Sequence, residues 1–156
     1  MLLIKNKKAY FDYQLDKKYK AGIVLTGAEV KSLRLKHASL AGSYIKALNK
    51  ESKKAELFLI NAQINHYRFA GKNQDYDPKK TRKLLLRRKE IAELVIASEQ
   101  KSYSIIPLAF LLEHNQIKLE LALARGKKSF EKRESIKKRD LNRELNKKLK
   151  RSQFKI

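Results

Sequence analysis

Between Ile117 and Ala124 the chain alternates. Ile117, Leu119, Leu121 and Leu123 are apolar, with Lys118, Glu120, Ala122 and Ala124 between and after them. A period of two predicts a half-buried strand. Ahead of it, Tyr103 to Leu112 is a near-continuous apolar run broken by Pro107, which predicts a buried strand with an edge or a bulge at the proline. His114-Asn115-Gln116 reads as the turn between the two. Ala9 to Leu25 is rich in Tyr, Phe, Ile and Val and predicts one or two strands, with Gly22 at a bulge or bend. Thr26-Gly27 ends that segment, and Ala28 to Leu35 reads as a short helix with Val30 and Leu33 on one side. Tyr44 to Leu48 and Glu56 to Ile64 flank the polar run from Asn49 to Lys54, a hairpin pattern. His66 to Lys80, with Gly71, Asn73 and Asp77-Pro78, reads as a loop. Thr81 to Ser98 gives the clearest helical pattern. Leu84, Ile91 and Val95, with Leu85 and Leu94 beside them, form a stripe, and Arg82, Lys83, Arg87, Arg88 and Lys89 cover the rest.

Five to seven short strands, many in hairpin relation, must close or stack to remove their edges. The expected fold is therefore mainly β: a small antiparallel OB-like barrel with inserted helices over residues 1–124, followed by a basic tail over 125–156. The tail's apolar side chains are Phe130, Ile136, Leu141, Leu145, Leu149, Phe154 and Ile156, too few for a core. Such a segment is expected to be solvated when alone and to gain structure against a polyanion. Leu141, Leu145 and Leu149 are four apart, and Glu144 with Lys148 makes a favourable pair, so the tail predicts a helix that is marginal without a docking surface.

Charge sharpens this division. The chain carries +22; residues 125–156 hold fourteen Lys or Arg against four Asp or Glu, a balance of +10 that leaves +12 on the body. Charge of this size attracts anionic surfaces, with nucleic acid the first expectation and an anionic membrane the second. The absence of cysteine excludes disulfides, thiolate zinc sites, iron–sulfur clusters and cysteine nucleophiles. No apolar run approaches the roughly 18 residues of a membrane span. The opening Met-Leu-Leu-Ile is too short for a signal sequence, and its lysines follow it, so the expected location is the cytoplasm, without membrane association.

Catalytic patterns are weak. His37, His66 and His114 stand far apart in sequence, and His66 with His114 would make a ribonuclease-like pair only if the fold joined them. Glu90 and Glu93 neighbour Lys or Arg and read as ion-pair partners; the five glycines form no phosphate loop. Neither a cofactor nor a metal is expected, and the chain reads as a monomer and not an enzyme. Cations next to rings are a better signal. Lys8-Ala9-Tyr10-Phe11-Asp12-Tyr13 and His66-Tyr67-Arg68-Phe69 can stack on exposed bases while cations meet phosphates, although alternate rings in the first run suit a core equally well. The cluster Arg82, Lys83, Arg87, Arg88 and Lys89 suits either a solvated helix face or an RNA contact.

Several motifs then fall in order. Asn6-Lys7-Lys8-Ala9 precedes the run from Tyr19-Lys20-Ala21-Gly22 through Leu25-Thr26-Gly27-Ala28-Glu29-Val30-Lys31-Ser32-Leu33-Arg34. Asp77-Pro78 leads to Thr81-Arg82-Lys83-Leu84-Leu85-Leu86 and Glu90-Ile91. Gly126-Lys127-Lys128 leads to Glu131-Lys132-Arg133, Ile136-Lys137 and Arg139. From about residue 5 to 150 the chain resembles the small protein B family, the bacterial partners of transfer-messenger RNA (tmRNA).

The resemblance implies an OB-like barrel with a basic tail. It implies binding to the tRNA-like domain of tmRNA and delivery of the alanine-charged RNA to stalled ribosomes for trans-translation. The body would lie where a tRNA anticodon arm lies. The tail would form a helix in the empty messenger channel by the decoding centre of the small subunit. Carried over by position, Asn6, Glu29, Lys31, Arg34, Arg82, Lys83, Lys127 and Lys128 are candidate tmRNA contacts. Phe130, Lys132, Arg133, Ile136, Lys137, Arg139, Arg143 and Lys147 are candidate ribosome contacts. Glu131 keeps the charge of the family's usual Asp, Phe130 can stack but not hydrogen-bond, and Leu141 stands where Trp is common. Glu29, a carboxylate on an anion-binding surface, is expected to hold a neighbouring cation or to accept a hydrogen bond from a base. The alternatives are a general RNA-binding or ribosomal protein with a basic arm and, after it, a ribonuclease.

Overall fold

The computed structural model describes residues 1–49, 54–71, 75–100 and 102–153. In chain order these form β1 (Leu2–Lys5), α1 (Lys7–Asp12), β2 (Tyr13–Ile23), α2 (Gly27–Arg34), β3 (Ala38–Ser39), β4 (Tyr44–Leu48), β5 (Glu56–Ile60), β6 (Gln63–Ile64), β7 (Arg82–Leu85), α3 (Arg88–Ser98), β8 (Tyr103–Glu113), β9 (Gln116–Gly126) and α4 (Ser129–Gln153). Residues 50–53 of the predicted hairpin turn, Asn73 of the predicted loop, and Phe154 and Ile156 lie outside the described residues, as does the side chain of Phe130.

Two units divide the chain, Met1–Gly126 and Lys127–Ile156. In the first, β8, β4, β5, β7, β2 and β9 are neighbours in that order, and β9 returns to β8 to close an antiparallel barrel. β1 lies alongside β8 at Ala109–Leu111. Closure leaves the barrel without a long free edge, which the short strands need.

The β8–β9 hairpin follows from its residues. Pairing runs from Tyr103 opposite Arg125 to Glu113 opposite Gln116. His114 and Asn115 form the two-residue turn with φ of 48° and 63°. Positive φ at both positions matches the right-handed twist of the strands. The register slips between Pro107 and Ala109, so the proline sits at a bulge as the sequence predicts.

β9 is half-buried only in its first part. Ile117, Leu119 and Leu121 face the barrel interior with Leu57, Leu59, Leu84, Leu94 and Phe110. Further along, Ala122 and Ala124 are also buried, in a second cluster with Ala9, Ile106 and Leu108. Their small side chains let α1 pack on the outer face of β8 and β9.

Three expectations change. Ala9 to Asp12 is not strand but part of α1. Asn6 caps that helix, its Oδ1 accepting from the Ala9 N–H at 3.2 Å, and Ala9 is the buried contact. Gly22 is not at a bulge; the slip in β2 lies between Leu15 and Lys17. Gly22 instead pairs with both Leu85 of β7 and Lys118 of β9. A Cβ there would come within 3.2 Å of the Leu85 Cβ, so the position requires close approach.

The third change is the largest. Arg82 to Leu85 is strand β7, and the helix begins only at Arg88. Arg82 and Leu84 are buried while Leu85 is exposed, so the true period is two. The helical pattern misled because an arginine occupies an inward position. At the helix start, the Arg87 N–H donates to Glu90 Oε2 at 3.1 Å.

The second unit is described by itself. α4 runs 25 residues, about 37 Å at 1.5 Å per residue. Ile136, Leu141, Leu145 and Leu149 are exposed along it. Among the described residues no helix is long and apolar enough to cross a membrane.

Candidate nucleic-acid interface

Three of the predicted RNA contacts turn inward. Asn6, Glu29 and Arg82 are all buried. Asn6 Nδ2 donates to the Pro107 carbonyl at 2.9 Å while its Oδ1 caps α1, so both ends of the amide are used. Arg82 donates from Nε to Glu29 Oε2. Its two terminal nitrogens reach the carbonyls of Ala62, Lys80 and Pro78 and the Tyr76 hydroxyl. That accounts for all five N–H groups of the guanidinium, which has none left for a phosphate.

Glu29 stands in the first turn of α2 in a capping box. Its backbone N–H donates to Thr26 Oγ1 and its Oε1 accepts from the Thr26 N–H. The same carboxylate meets Lys80 Nζ at 2.9 Å and Arg82 on its other oxygen. Burial alone would push its pKa up, but the bonds from Lys80, Arg82 and the Thr26 backbone outweigh it, and the carboxyl is held below its usual value. Burial, with the Glu29 charge, pushes the Tyr76 hydroxyl up. The sequence expectation that Glu29 holds a neighbouring cation agrees with this geometry. The reading of Arg82 as a surface cation does not, because its charge is compensated inside.

The cluster has a positional result. It pins the segment between β6 and β7 to α2. Ser32 Oγ donates to the Asn65 carbonyl at 2.6 Å, and the Asn65 N–H donates to the His37 carbonyl at 3.0 Å. The Tyr76 hydroxyl donates to the Ile64 carbonyl at 2.7 Å, and His66 stands edge-on to the Tyr76 ring. Lys31 and Arg34 of the same helix α2 are both exposed. Lys31 Nζ is 5.4 Å from the Tyr67 ring centre. Tyr67 meets Phe69 edge to face at 5.6 Å, and the Arg68 guanidinium lies 5.8 Å from the Phe69 ring. Phe69 is 77% exposed, so its ring face is open to a stacking partner. Tyr67, Arg68 and Phe69 of the β6–β7 segment, with Lys31 of α2 beside Tyr67, put two rings and two cations together, a set that can stack on bases and meet phosphates. The candidate set carried over by resemblance lacked Tyr67, Arg68 and Phe69; their signal was the alternation of rings and cations in His66-Tyr67-Arg68-Phe69.

The remaining candidates are spread out. Arg34 donates to Asn115 Oδ1 in the β8–β9 turn, which fixes the end of α2 against the barrel. Lys83 of β7 is paired with Glu56 at 2.9 Å. A separate cation–ring group forms on α1, where Lys5 and Lys18 approach the Tyr10 ring at 4.7 and 5.7 Å. His114 stands in its turn, and among the described residues no group of His, Asp or Glu could hold a metal.

Lys127 and Lys128 belong to the second unit. Lys127 Nζ donates to Ser135 Oγ at 3.0 Å, and the Lys128 N–H donates to Glu131 Oε2 at 3.3 Å, so Glu131 sits where an anion suits a helix start. Along α4, Lys132, Ile136, Arg139, Arg143, Lys147 and Lys150 recur at spacings of three and four and so share one side. Leu141, Leu145 and Leu149 follow another side, while Arg133 and Lys137 fall between these stripes.

The family described as SmpB protein matches residues 3–151. The SsrA-binding protein of Geobacter metallireducens is 44% identical over 144 residues, 92% of this chain and 90% of the relative. That of Lactobacillus delbrueckii subsp. bulgaricus is 42% identical over 147 residues, 94% of this chain and 92% of the relative. A chain of the solved structure "tmRNA-SmpB: a journey to the center of the bacterial ribosome" is similar with a TM-score of 0.66 and 36% identity, over 83% of this chain and 87% of that one. With the closed barrel, the basic helix and agreement along nearly the whole length, the chain belongs to the SmpB family.

Proposed function

We propose that this chain is a tmRNA-binding adaptor of trans-translation, a non-catalytic role, that carries alanine-charged tmRNA to stalled ribosomes in the cytoplasm. The observation that carries the reading is the family match over residues 3–151. The tRNA-like domain lies on the platform of Lys31, Arg34, Tyr67, Arg68 and Phe69. Glu29 and Arg82 hold α2 and the β6–β7 segment in place, while Asn6 holds α1 to β8. Phosphate contacts supply much of the affinity and make it fall with salt. Shape and stackable unpaired bases supply selectivity.

The tail is proposed to take the messenger channel near the decoding centre of the small subunit. Its cation-rich side suits rRNA on both walls, and its thin leucine stripe leaves the helix marginal until it docks. Selection of stalled ribosomes then follows from steric competition with messenger.

A titration of the purified protein against the tRNA-like domain and an ordinary tRNA at two salt concentrations tests this. Preference for the tRNA-like domain that persists at higher salt supports the adaptor. Equal binding that collapses with salt leaves a general RNA-binding protein with a basic arm.

A further inference from the structure

The closed barrel is two sheets joined by short seams. In the larger sheet β2 pairs with β9 from Tyr13–Gly126 to Gly22–Lys118, and β9 pairs with β8 from Tyr103–Arg125 to Glu113–Gln116. In the smaller, β4 pairs with β5 along its whole length, and β5 with β7 from Leu57–Leu84 to Leu59–Arg82. Between the sheets the bonding is thin. β4 meets β8 at one residue pair, Ile45 opposite Ile105. β2 meets β7 at Gly22–Leu85 and Ile23–Leu84, with a further bond from the Val24 N–H to the Lys83 carbonyl at 3.0 Å. We infer that the segment Gly27–Leu85 turns as one body against the rest of the barrel unit, hinged at the β2–β7 seam and parting at the β4–β8 seam.

The path of the chain favours this. The segment leaves the larger sheet after β2 and returns to it through Leu86 and Arg87, so both crossings lie at the β2–β7 seam. Hinges are a few residues at the ends of elements, as Val24–Thr26 and Leu86–Arg87 are here. The segment is bound within itself by the Glu29–Arg82 pair, the bond from Ser32 to the Asn65 carbonyl and the Lys83–Glu56 pair. The remainder is bound within itself by Lys18–Glu120, Lys20–Glu113 and Arg125–Asp16. It also keeps α3, because Glu93 accepts from Lys17 and from the Tyr19 hydroxyl, both on β2.

Packing does not close the far seam. A cavity of about 500 Å³ lies along it, lined by Ile45 and Ala47 on one side and Tyr103 and Ile105 on the other. Arg34 crosses between the two bodies, donating from α2 to Asn115 in the β8–β9 turn, and acts as a clasp. Leucines of both bodies, among them Leu57, Leu84, Leu119 and Leu121, share one core. Parting exposes some of that apolar surface, so the open form is a minor state that lies below global unfolding. Because α2 travels with the segment, opening changes its orientation to the β8–β9 hairpin. The inference needs no bound RNA.

Native-state hydrogen exchange of the full chain, followed by NMR in urea below the unfolding transition, tests this. Amides in and beside the Ile45–Ile105 pair are expected to exchange at least about tenfold faster than those of Leu119 and Leu121, and with a weaker urea dependence. Asn115→Gly removes the clasp's acceptor and keeps the positive φ that the turn needs. It should speed exchange at the seam about tenfold and leave Leu119 and Leu121 unchanged, whereas Asn115→Asp should keep the clasp. A staple gives a second check, since the chain has no cysteine of its own. In I45C/I105C the oxidised protein should lose the fast exchange and the reduced protein regain it. Seam amides as protected as those of Leu119 and Leu121 at every urea concentration would overturn the hinge. So would fast exchange that persists in the stapled protein, or an Asn115→Gly effect equal at the seam and at Leu119 and Leu121.

Discussion

Glu29 and Arg82, 53 residues apart in sequence, form an ion pair in the interior of the barrel unit, each side chain 1% exposed. The pair joins the first turn of α2 to the start of β7. The carbonyls of Ala62, Pro78 and Lys80 close around the same guanidinium. One arginine thus ties α2 to the β6–β7 segment.

Removing one partner leaves the other charge buried. Arg82→Ala is expected to destabilise the protein by about 3–5 kcal/mol, because it strands Glu29 and several carbonyls. Glu29→Gln together with Arg82→Met should cost less than Arg82→Ala alone. Urea unfolding of the three proteins checks this; equal stability of Arg82→Ala and wild type would contradict the geometry.

The same pair gives a pH dependence. The Glu29 carboxyl is held below its ordinary value near 4.5. Above about pH 4.5 both folded and unfolded forms are ionised, and the stabilisation is fully present. As pH falls below that value the unfolded state takes the proton first, and stability is lost until the folded carboxyl titrates in turn. Unfolding midpoints measured from pH 7 down to pH 3 should fall in wild type. The fall should be shallower in Glu29→Gln.

On the platform, Phe69→Ala and Tyr67→Ala should each weaken binding of the tRNA-like domain by roughly 1–3 kcal/mol, with melting temperature little changed, since each loses a stacked base. Lys31→Ala should weaken binding across sequences and reduce the salt slope by about 1. Titrations at several salt concentrations distinguish the two effects. Unchanged affinity in all three variants would move the RNA face away from α2.

Truncation after Lys128 removes α4 and leaves the barrel unit whole. Binding to the tRNA-like domain is expected to survive and peptide tagging on stalled ribosomes to be lost. Tagging should also fall on ribosomes whose messenger extends well past the decoding site. Loss of RNA binding on truncation would show that the two units do not divide the roles in this way.

The β8–β9 hairpin was readable because its pattern is local: alternation, a proline and a polar turn all act within a few residues. The Thr81–Ser98 stretch was not. Its stripe of Leu84, Ile91 and Val95 fits a helix equally well, and only the partner Glu29 explains why Arg82 faces inward as part of a strand. Asn6 was expected to contact RNA; its role in capping α1 and binding the Pro107 carbonyl was not legible, because it needs a partner 101 residues away.

By itself, the sequence determined the mainly-β body, the basic arm, the absence of cysteine chemistry and the family resemblance, since these rest on composition, local period and spaced motifs. The tertiary structure decided which cations are available to a ligand. A charge can be buried only when a distant partner compensates it. That separates Arg82, fully bonded inside, from Lys31 and Arg34 on the surface, although all three look alike along the chain.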